Sequence, residues 1–138
     1  MRNEEVARIL FEVSEYLAMQ NVAFKPRAYE KAAEAIRDLE EDLNELYKKG
    51  GLKVLKQIPG VGISIAEKIE ELLKTGKLKY YDELKKKTPV SLSQFIGIEG
   101  LGPKKIKKLY QELGVKSIAD LEKAAKAGKI RDLATFGL

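Results

Sequence analysis

Two short glycine turns carry the residues best suited to chemistry in this sequence. The first is Ile58-Pro59-Gly60-Val61-Gly62, running into Ile63 to Lys74; the second is Ile98-Glu99-Gly100-Leu101-Gly102, running into Pro103 to Leu113. In each, an apolar residue precedes a Gly-apolar-Gly triplet and a lysine-bearing stretch follows. Glycine permits positive φ and lets another molecule approach the backbone closely. A turn of this kind leaves N–H groups open at the positive end of a helix, a site for an anion and for phosphate in particular. The expected donors are the amides at and after Gly60 and Gly62, and those at Gly100 and Gly102, with Val61 and Leu101 between them. Pro103 has no amide, so in the second turn Lys104 and Lys105 must carry more of the contact. Contacts of this type hold a nucleic-acid backbone without reading its sequence. A lone Gly-x-Gly also serves purely steric ends in helix turns, so it is the recurrence that is informative. The leading residues Ile58 and Ile98 are expected to anchor the turns in the core.

The charge distribution points the same way. The net charge is +5, but residues 1–48 hold 7 basic and 11 acidic side chains, residues 49–100 hold 10 and 6, and residues 101–138 hold 9 and 4. Positive charge therefore accompanies and follows the turns, which suits a polyanion. The competing reading is a solvated Lys/Glu surface. There is no cysteine and no histidine, which excludes disulfides, thiolate metal sites and imidazole chemistry. No apolar run approaches the ~20 residues that span a bilayer, and no signal peptide is visible, so a cytoplasmic protein is expected. Aromatic residues, 7% of the chain, are too few for a single-strand stacking platform.

The elements that must position the turns all read as helices, and the expected class is all-α, a bundle of short helices. Val6, Ile9, Leu10, Val13 and Leu17 form one stripe over residues 3–19, with Asn3 as the expected N-cap and Glu4 and Glu5 in the first turn. Pro26 suits the first turn of a second helix with Tyr29, Ala32, Ala33, Ile36 and Leu39 on one face. Glu40 to Asp42 open a segment with Leu43, Leu46 and Tyr47 inward; Gly50-Gly51 close it, and Leu52, Val54 and Leu55 add one more turn. After the first glycine turn, Ile65, Ile69, Leu72 and Leu73 face inward until Gly76 ends the helix. Leu78, Tyr81 and Leu84 support a short helix running into Lys85-Lys86-Lys87. Thr88-Pro89 predicts an N-cap with proline at the first helical position, starting a helix with Leu92, Phe95 and Ile96 inward. Ile106, Leu109, Tyr110 and Leu113 follow the second turn. Ser117 and Asp120 predict the start of a helix carrying Ile118, Leu121 and Ala125. A charge run and a proline together place a boundary near residues 85–89, giving expected units 1–86 and 87–138. Leu133 to Leu138 reads as the start of a further helix–glycine-turn unit, so the chain is expected to be a fragment of a longer protein.

The turns resemble the helix-hairpin-helix motif, and the whole chain resembles the N-terminal part of a family X DNA polymerase, the DNA polymerase beta family, in its bacterial or archaeal form. The resemblance rests most on Pro59-Gly60-Val61-Gly62 with Ile65-Ala66-Glu67-Lys68-Ile69, and on Thr75-Gly76-Lys77-Leu78. Ala28-Tyr29 with Lys31-Ala32-Ala33, Gly97 to Pro103, and Ser117 to Leu121 add to it. It implies a four-helix domain with the first hairpin at the 5′-phosphate side of a gap or nick in DNA, and a second hairpin on the primer side. It also implies a monovalent cation, Na⁺ or K⁺, held at each hairpin by backbone carbonyls: Lys56, Ile58 and Val61 in the first, Ile96, Ile98 and Leu101 in the second. No organic cofactor is expected, and the chain is expected to act as a monomer.

In some members of that family the first domain is a lyase that removes a 5′-deoxyribose phosphate. By resemblance the Schiff-base lysine falls on Lys68, with Tyr29 and Lys25 or Lys31 nearby in the pattern; Lys56, Lys25 and Lys31 could supply positive charge, and Ser64 is expected among the phosphate contacts. That chemistry needs a neutral amine, which neighbouring cations or partial burial must favour. Ser64 and Tyr80 stand where the family carries basic residues, and Phe24 stands where the beta enzyme has a histidine. The two-metal carboxylate constellation of nucleotidyl transfer has no counterpart after residue 102, so no polymerase activity is expected from these residues. Three readings follow. The first is a DNA-binding module gripping backbone at gapped or nicked ends. The second is a lyase built on the same module. The third is a helical protein-interaction domain whose hairpins only organise the core.

Overall fold

The computed structural model describes residues 1–95 and 98–129, and every regular element among them is helical. In chain order these are α1 (Asn3–Met19), α2 (Lys25–Asp38), α3 (Leu43–Lys56), α4 (Ile63–Thr75), α5 (Lys79–Lys87), α6 (Leu92–Phe95), α7 (Pro103–Leu113) and α8 (Ile118–Lys126).

Helix α1 is the axis of the fold. Its expected stripe is buried, but so are Ala7, Tyr16 and Met19, which lie outside it. The helix is covered on more than one side because it packs against α2 and also against α5, α6 and α7, while α3 packs on α4. Buried residues from Val6 to Ala124 form one apolar cluster. Removing these side chains from water is the main driving term, about 1.5–3 kcal/mol for each large one fully buried.

The local signals largely act as expected. Pro26 sits in the first turn of α2. Gly51 breaks α3 with φ 61° and ψ −147°, so Leu43–Lys56 is two helical pieces joined at a kink. Gly76 and Gly114 end α4 and α7 in the left-handed conformation. The Ser117 side chain accepts the Asp120 amide at 3.3 Å, and the Asp120 carboxylate accepts the Lys116 amide at 3.0 Å, closing the start of α8. No helix among the described residues is long and apolar enough to cross a membrane.

Four expectations are corrected. Asn3 is not the cap of α1; Arg2 precedes the helix, and the Asn3 side chain instead donates to the Glu41 carbonyl at 2.7 Å and accepts from the Leu43 amide at 2.9 Å. It therefore ties α1 to the start of α3. Thr88-Pro89 does not open a helix. Thr88 terminates α5, residues 88–91 run non-helically, and α6 begins only at Leu92. Proline disfavours the helical region for the residue before it, and burial of Val90 against α1 holds the segment there. In α8 the buried alanine is Ala124 rather than Ala125. Finally, Ile58 is 7% exposed and anchors its turn, but Ile98 is 40% exposed, and Leu101 is the residue packed against the core in the second turn. Helix α2 lies over the first turn, where a Cβ on Gly60 would meet the Lys31 carbonyl oxygen at 3.7 Å; a Cβ on Gly100 would meet nothing within 4 Å. Ile96, Gly97 and the Leu133–Leu138 stretch lie outside the described residues.

Candidate nucleic-acid interface

The two turns have the same backbone geometry. Gly60 and Gly100 have φ of 88° and 78°. Gly62 and Gly102 stand at φ −86° and −90°, both with ψ 179°, as the caps of α4 and α7. The Val61 amide donates to the Ile58 carbonyl at 3.0 Å and the Leu101 amide to the Ile98 carbonyl at 3.2 Å; Ala66 and Ile106 donate to the carbonyls of Gly62 and Gly102 at 2.9 and 3.0 Å. Positive φ is needed only at the first glycine of each triplet. At the second the conformation is ordinary, and its missing side chain leaves open space.

This geometry sorts the candidate donors. The Val61 and Leu101 amides close their own turns, so they are not available to an anion. In the first hairpin the amides of Gly62, Ile63 and Ser64 have no backbone acceptor, as expected for the first turn of a helix. They face the positive end of the α4 dipole. In the second hairpin Pro103 interrupts the corresponding row, leaving the Gly102 and Lys104 amides without backbone acceptors.

The carbonyls sort similarly. Those of Lys56, Val61 and Leu101 accept no backbone amide, while those of Ile58 and Ile98 each accept one and retain a second lone pair. Ile96, the remaining member of the second set, is outside the described residues.

Beside the first hairpin is a cavity of about 410 Å³, lined by Lys25, Ala28, Tyr29, Gly60, Gly62, Ile63, Ser64, Ile65, Lys68 and Tyr80. Helix α2 brings Lys25, Ala28 and Tyr29; the hairpin and α4 bring the glycines, Ser64 and Lys68; α5 brings Tyr80. The residue before Lys25 is strained. Phe24 has φ 67° and ψ −42°, the Lys25 amide bonds the Ala23 carbonyl at 2.7 Å across it, and its ring is 92% exposed. A bulky residue at positive φ is uncommon and clusters at functional sites.

Lys68 sits on the cavity wall. Its Nζ donates to Ser64 Oγ at 3.0 Å and lies 4.9 Å from the centroid of the Tyr80 ring and 6.0 Å from that of Tyr29. The two rings stack with centroids 6.1 Å apart. Partial burial lowers the Lys68 pKa below the usual lysine range; Glu67 opposes the shift, Lys25 adds to it and Glu71 opposes it. The nearby ring faces favour the ammonium form and so work against the burial effect. Burial raises the pKa of Tyr29, with Tyr80 adding and Ser64 opposing, and burial also raises that of Tyr80. Both phenols thus stay protonated near neutral pH and act as donors or ring faces, not as bases.

The structure therefore brings together Lys25, Tyr29, Gly60, Gly62, Ser64 and Lys68. Lys31 and Lys56 are exposed and do not line the cavity, although the Lys31 backbone adjoins Gly60. Tyr80 enters as a wall stacked on Tyr29. No local pattern signals that pair, because its members lie on α2 and α5 and meet only through tertiary packing. In the second unit Lys104 is exposed and Lys105 half-buried, both in the first turn of α7.

These paired hairpins are those of a known class. The helix-hairpin-helix domain family matches residues 1–78, more than half of the chain, and the chain belongs to that family. The SAM-like helix-hairpin-helix tandem family matches residues 92–137, over the second hairpin. The chain is also 31% identical over 138 residues to the DNA polymerase/3'-5' exonuclease PolX of Bacillus subtilis (strain 168), covering 99% of this chain and 23% of that protein. It thus spans about a quarter of that relative's length, in its N-terminal region.

Proposed function

We propose that this chain is a DNA-binding module of a family X polymerase, gripping the phosphate backbone at gapped or nicked ends with little sequence preference. The observation that carries the reading is the identical geometry of two hairpins, each offering open amides at a helix N-terminus beside lysines. The polymerase named among its relatives and the basic charge after residue 48 support DNA as the anion. In this reading the first hairpin takes the 5′-phosphate, with Lys25 beside it, and the second holds backbone across the gap. The carbonyls of Lys56, Ile58 and Val61 in the first hairpin, and of Ile96, Ile98 and Leu101 in the second, would hold Na⁺ or K⁺, which would supply positive charge toward a phosphate. The unit acts as a monomer in DNA repair.

The test is fluorescence anisotropy on three duplexes: gapped with a 5′-phosphate, gapped with a 5′-hydroxyl, and intact. The phosphorylated gap is expected to bind roughly tenfold more tightly than the other two, as one charge-assisted hydrogen-bond set of about 1.5 kcal/mol implies. Equal binding to all three would remove end recognition.

A lyase reading is favoured by the placement of Lys68 Nζ on the cavity wall, 3.0 Å from Ser64 Oγ and 4.9 Å from the Tyr80 ring centroid, where partial burial lowers its pKa. Nζ would add to the C1′ aldehyde of a 5′-deoxyribose phosphate, water would leave and an imine would form. Loss of a C2′ proton then expels the 3′-phosphate oxygen, and water hydrolyses the remaining imine. Cyanoborohydride trapping on such an end is expected to give an adduct that Lys68→Ala abolishes. The trapping rate should rise with pH through an inflection below the ~10.4 of an ordinary lysine. An adduct unchanged in Lys68→Ala would move the nucleophile elsewhere, and no adduct in the parent protein would remove the activity.

A further inference from the structure

Arg8, Glu12, Tyr16 and Gln20 follow one another at intervals of four along and just past α1, a spacing that keeps them on one face. None of them reaches the cavity or the hairpins. Glu12 is 2% exposed and Tyr16 1% exposed, unusually deep for a carboxylate and a phenol. Each side chain has a partner. Arg8 Nη1 donates to Glu12 Oε2 at 2.6 Å, and the Tyr81 hydroxyl donates to Glu12 Oε1 at 2.8 Å. The Tyr16 hydroxyl donates to the Val90 carbonyl at 2.6 Å, and Gln20 Nε2 reaches Thr88 Oγ1 at 3.4 Å. All the partners beyond α1 lie on α5 or on residues 88–91, the non-helical segment joining the first hairpin unit to the second. That segment is also held from the far side, where the Ser91 amide donates to the Lys116 carbonyl at 2.8 Å.

Apolar contacts between α1 and α7 bring the two units together, but such contacts are non-directional and tolerate sliding. Hydrogen bonds from buried groups are directional, and leaving one unmade is costly. A buried carboxylate deprived of its partners is costlier still. Glu12 thereby fixes α5, which leads into the connecting segment, and Tyr16 holds the segment itself in one register.

We propose that this stripe of α1 is a clasp that sets the spacing of the two hairpins, making Glu12 and Tyr16 positioning residues for a two-point grip. The claim about spacing stands on the contacts alone; its consequence for DNA rests on the reading in the preceding subsection.

The chain has no cysteine, so a spin-label pair is introduced cleanly with Glu34→Cys on α2 and Glu112→Cys on α7, both exposed positions. Pulsed dipolar spectroscopy on the parent should give one narrow distance distribution. Tyr16→Phe keeps the ring packed on Tyr81 and removes the hydroxyl that bonds Val90 and adjoins the Leu92 backbone; it should broaden the distribution or add a second distance, with helical circular dichroism retained. Glu12→Gln should do the same. If Glu12→Gln fails to fold, Tyr16→Phe decides alone. An unchanged distribution in Tyr16→Phe overturns the clasp. On DNA, the parent should prefer one gap length several-fold, and Tyr16→Phe should flatten that preference. A preference retained alongside a broadened distribution, or absent from the parent, overturns the link to DNA while the distance result still judges the clasp.

Discussion

Replacing Gly62 and Gly102 together by alanine is expected to weaken DNA binding by roughly 100-fold or more while the free protein stays folded. Each second glycine has an ordinary extended conformation, with φ −86° or −90° and ψ 179°, and a Cβ there would meet nothing within 4 Å. Alanine is therefore compatible with the backbone and should raise stability by about 0.4–1 kcal/mol through the unfolded chain. The same Cβ projects beside the open amides and holds a phosphate away. Losing one set of charge-assisted bonds costs about 1.5–3 kcal/mol, tenfold or more, and two hairpins double the loss. Gly60→Ala provides the contrast. At φ 88° it forces a left-handed alanine at a cost of about 1–2 kcal/mol, so it should lower the melting temperature as well as affinity. Thermal melting by circular dichroism and anisotropy on one gapped duplex check all three variants. If the double alanine variant binds like the parent, the glycines serve only the core.

Binding to DNA is also expected to collapse as salt rises. With about four phosphates held, two per hairpin, displaced counterions give a slope of log K against log salt near −3.6, or roughly 100-fold loss from 50 to 200 mM. The positive charge resides in the segments that carry the hairpins, while residues 1–48 are net acidic. The attraction should therefore come mainly from the lysines beside and after the hairpins, with Lys25 of α2 adding to the first. A titration series in potassium chloride measures the slope. Salt-independent binding, or none at low ionic strength, would favour the protein-interaction reading instead. Removing one lysine contact, as in Lys104→Ala, should make the slope shallower by about 0.9.

Much of this was legible locally. The all-α class, the two hairpins and the endings at Gly51 and Gly76 follow from helical periodicity, glycine conformation and proline placement. These properties operate within a few residues, so a sequence displays them directly. The Lys25, Tyr29, Ser64 and Lys68 grouping came instead from the resemblance to a family, since α2 and α4 are separated by α3 and no spacing rule connects them.

What the tertiary structure decided is non-local in every case. Asn3 reads as a cap until Leu43 and Glu41, some forty residues away, supply better partners. Thr88-Pro89 reads as a helix start until the buried Tyr16 hydroxyl meets Val90 across 74 residues. Ile58 and Ile98 occupy equivalent places in two like turns, yet α2 lies over the first only. The Tyr29–Tyr80 stack and the lowered pKa of Lys68 arise from packing of separate helices. The amino-acid sequence by itself determined where the chain turns and which faces of its helices are apolar, because backbone conformation and periodicity are short-range. Which of two equivalent residues is buried, which amide remains open and which amine is tuned depended on neighbours distant in the chain, because burial and hydrogen-bond pairing exist only once the helices are packed.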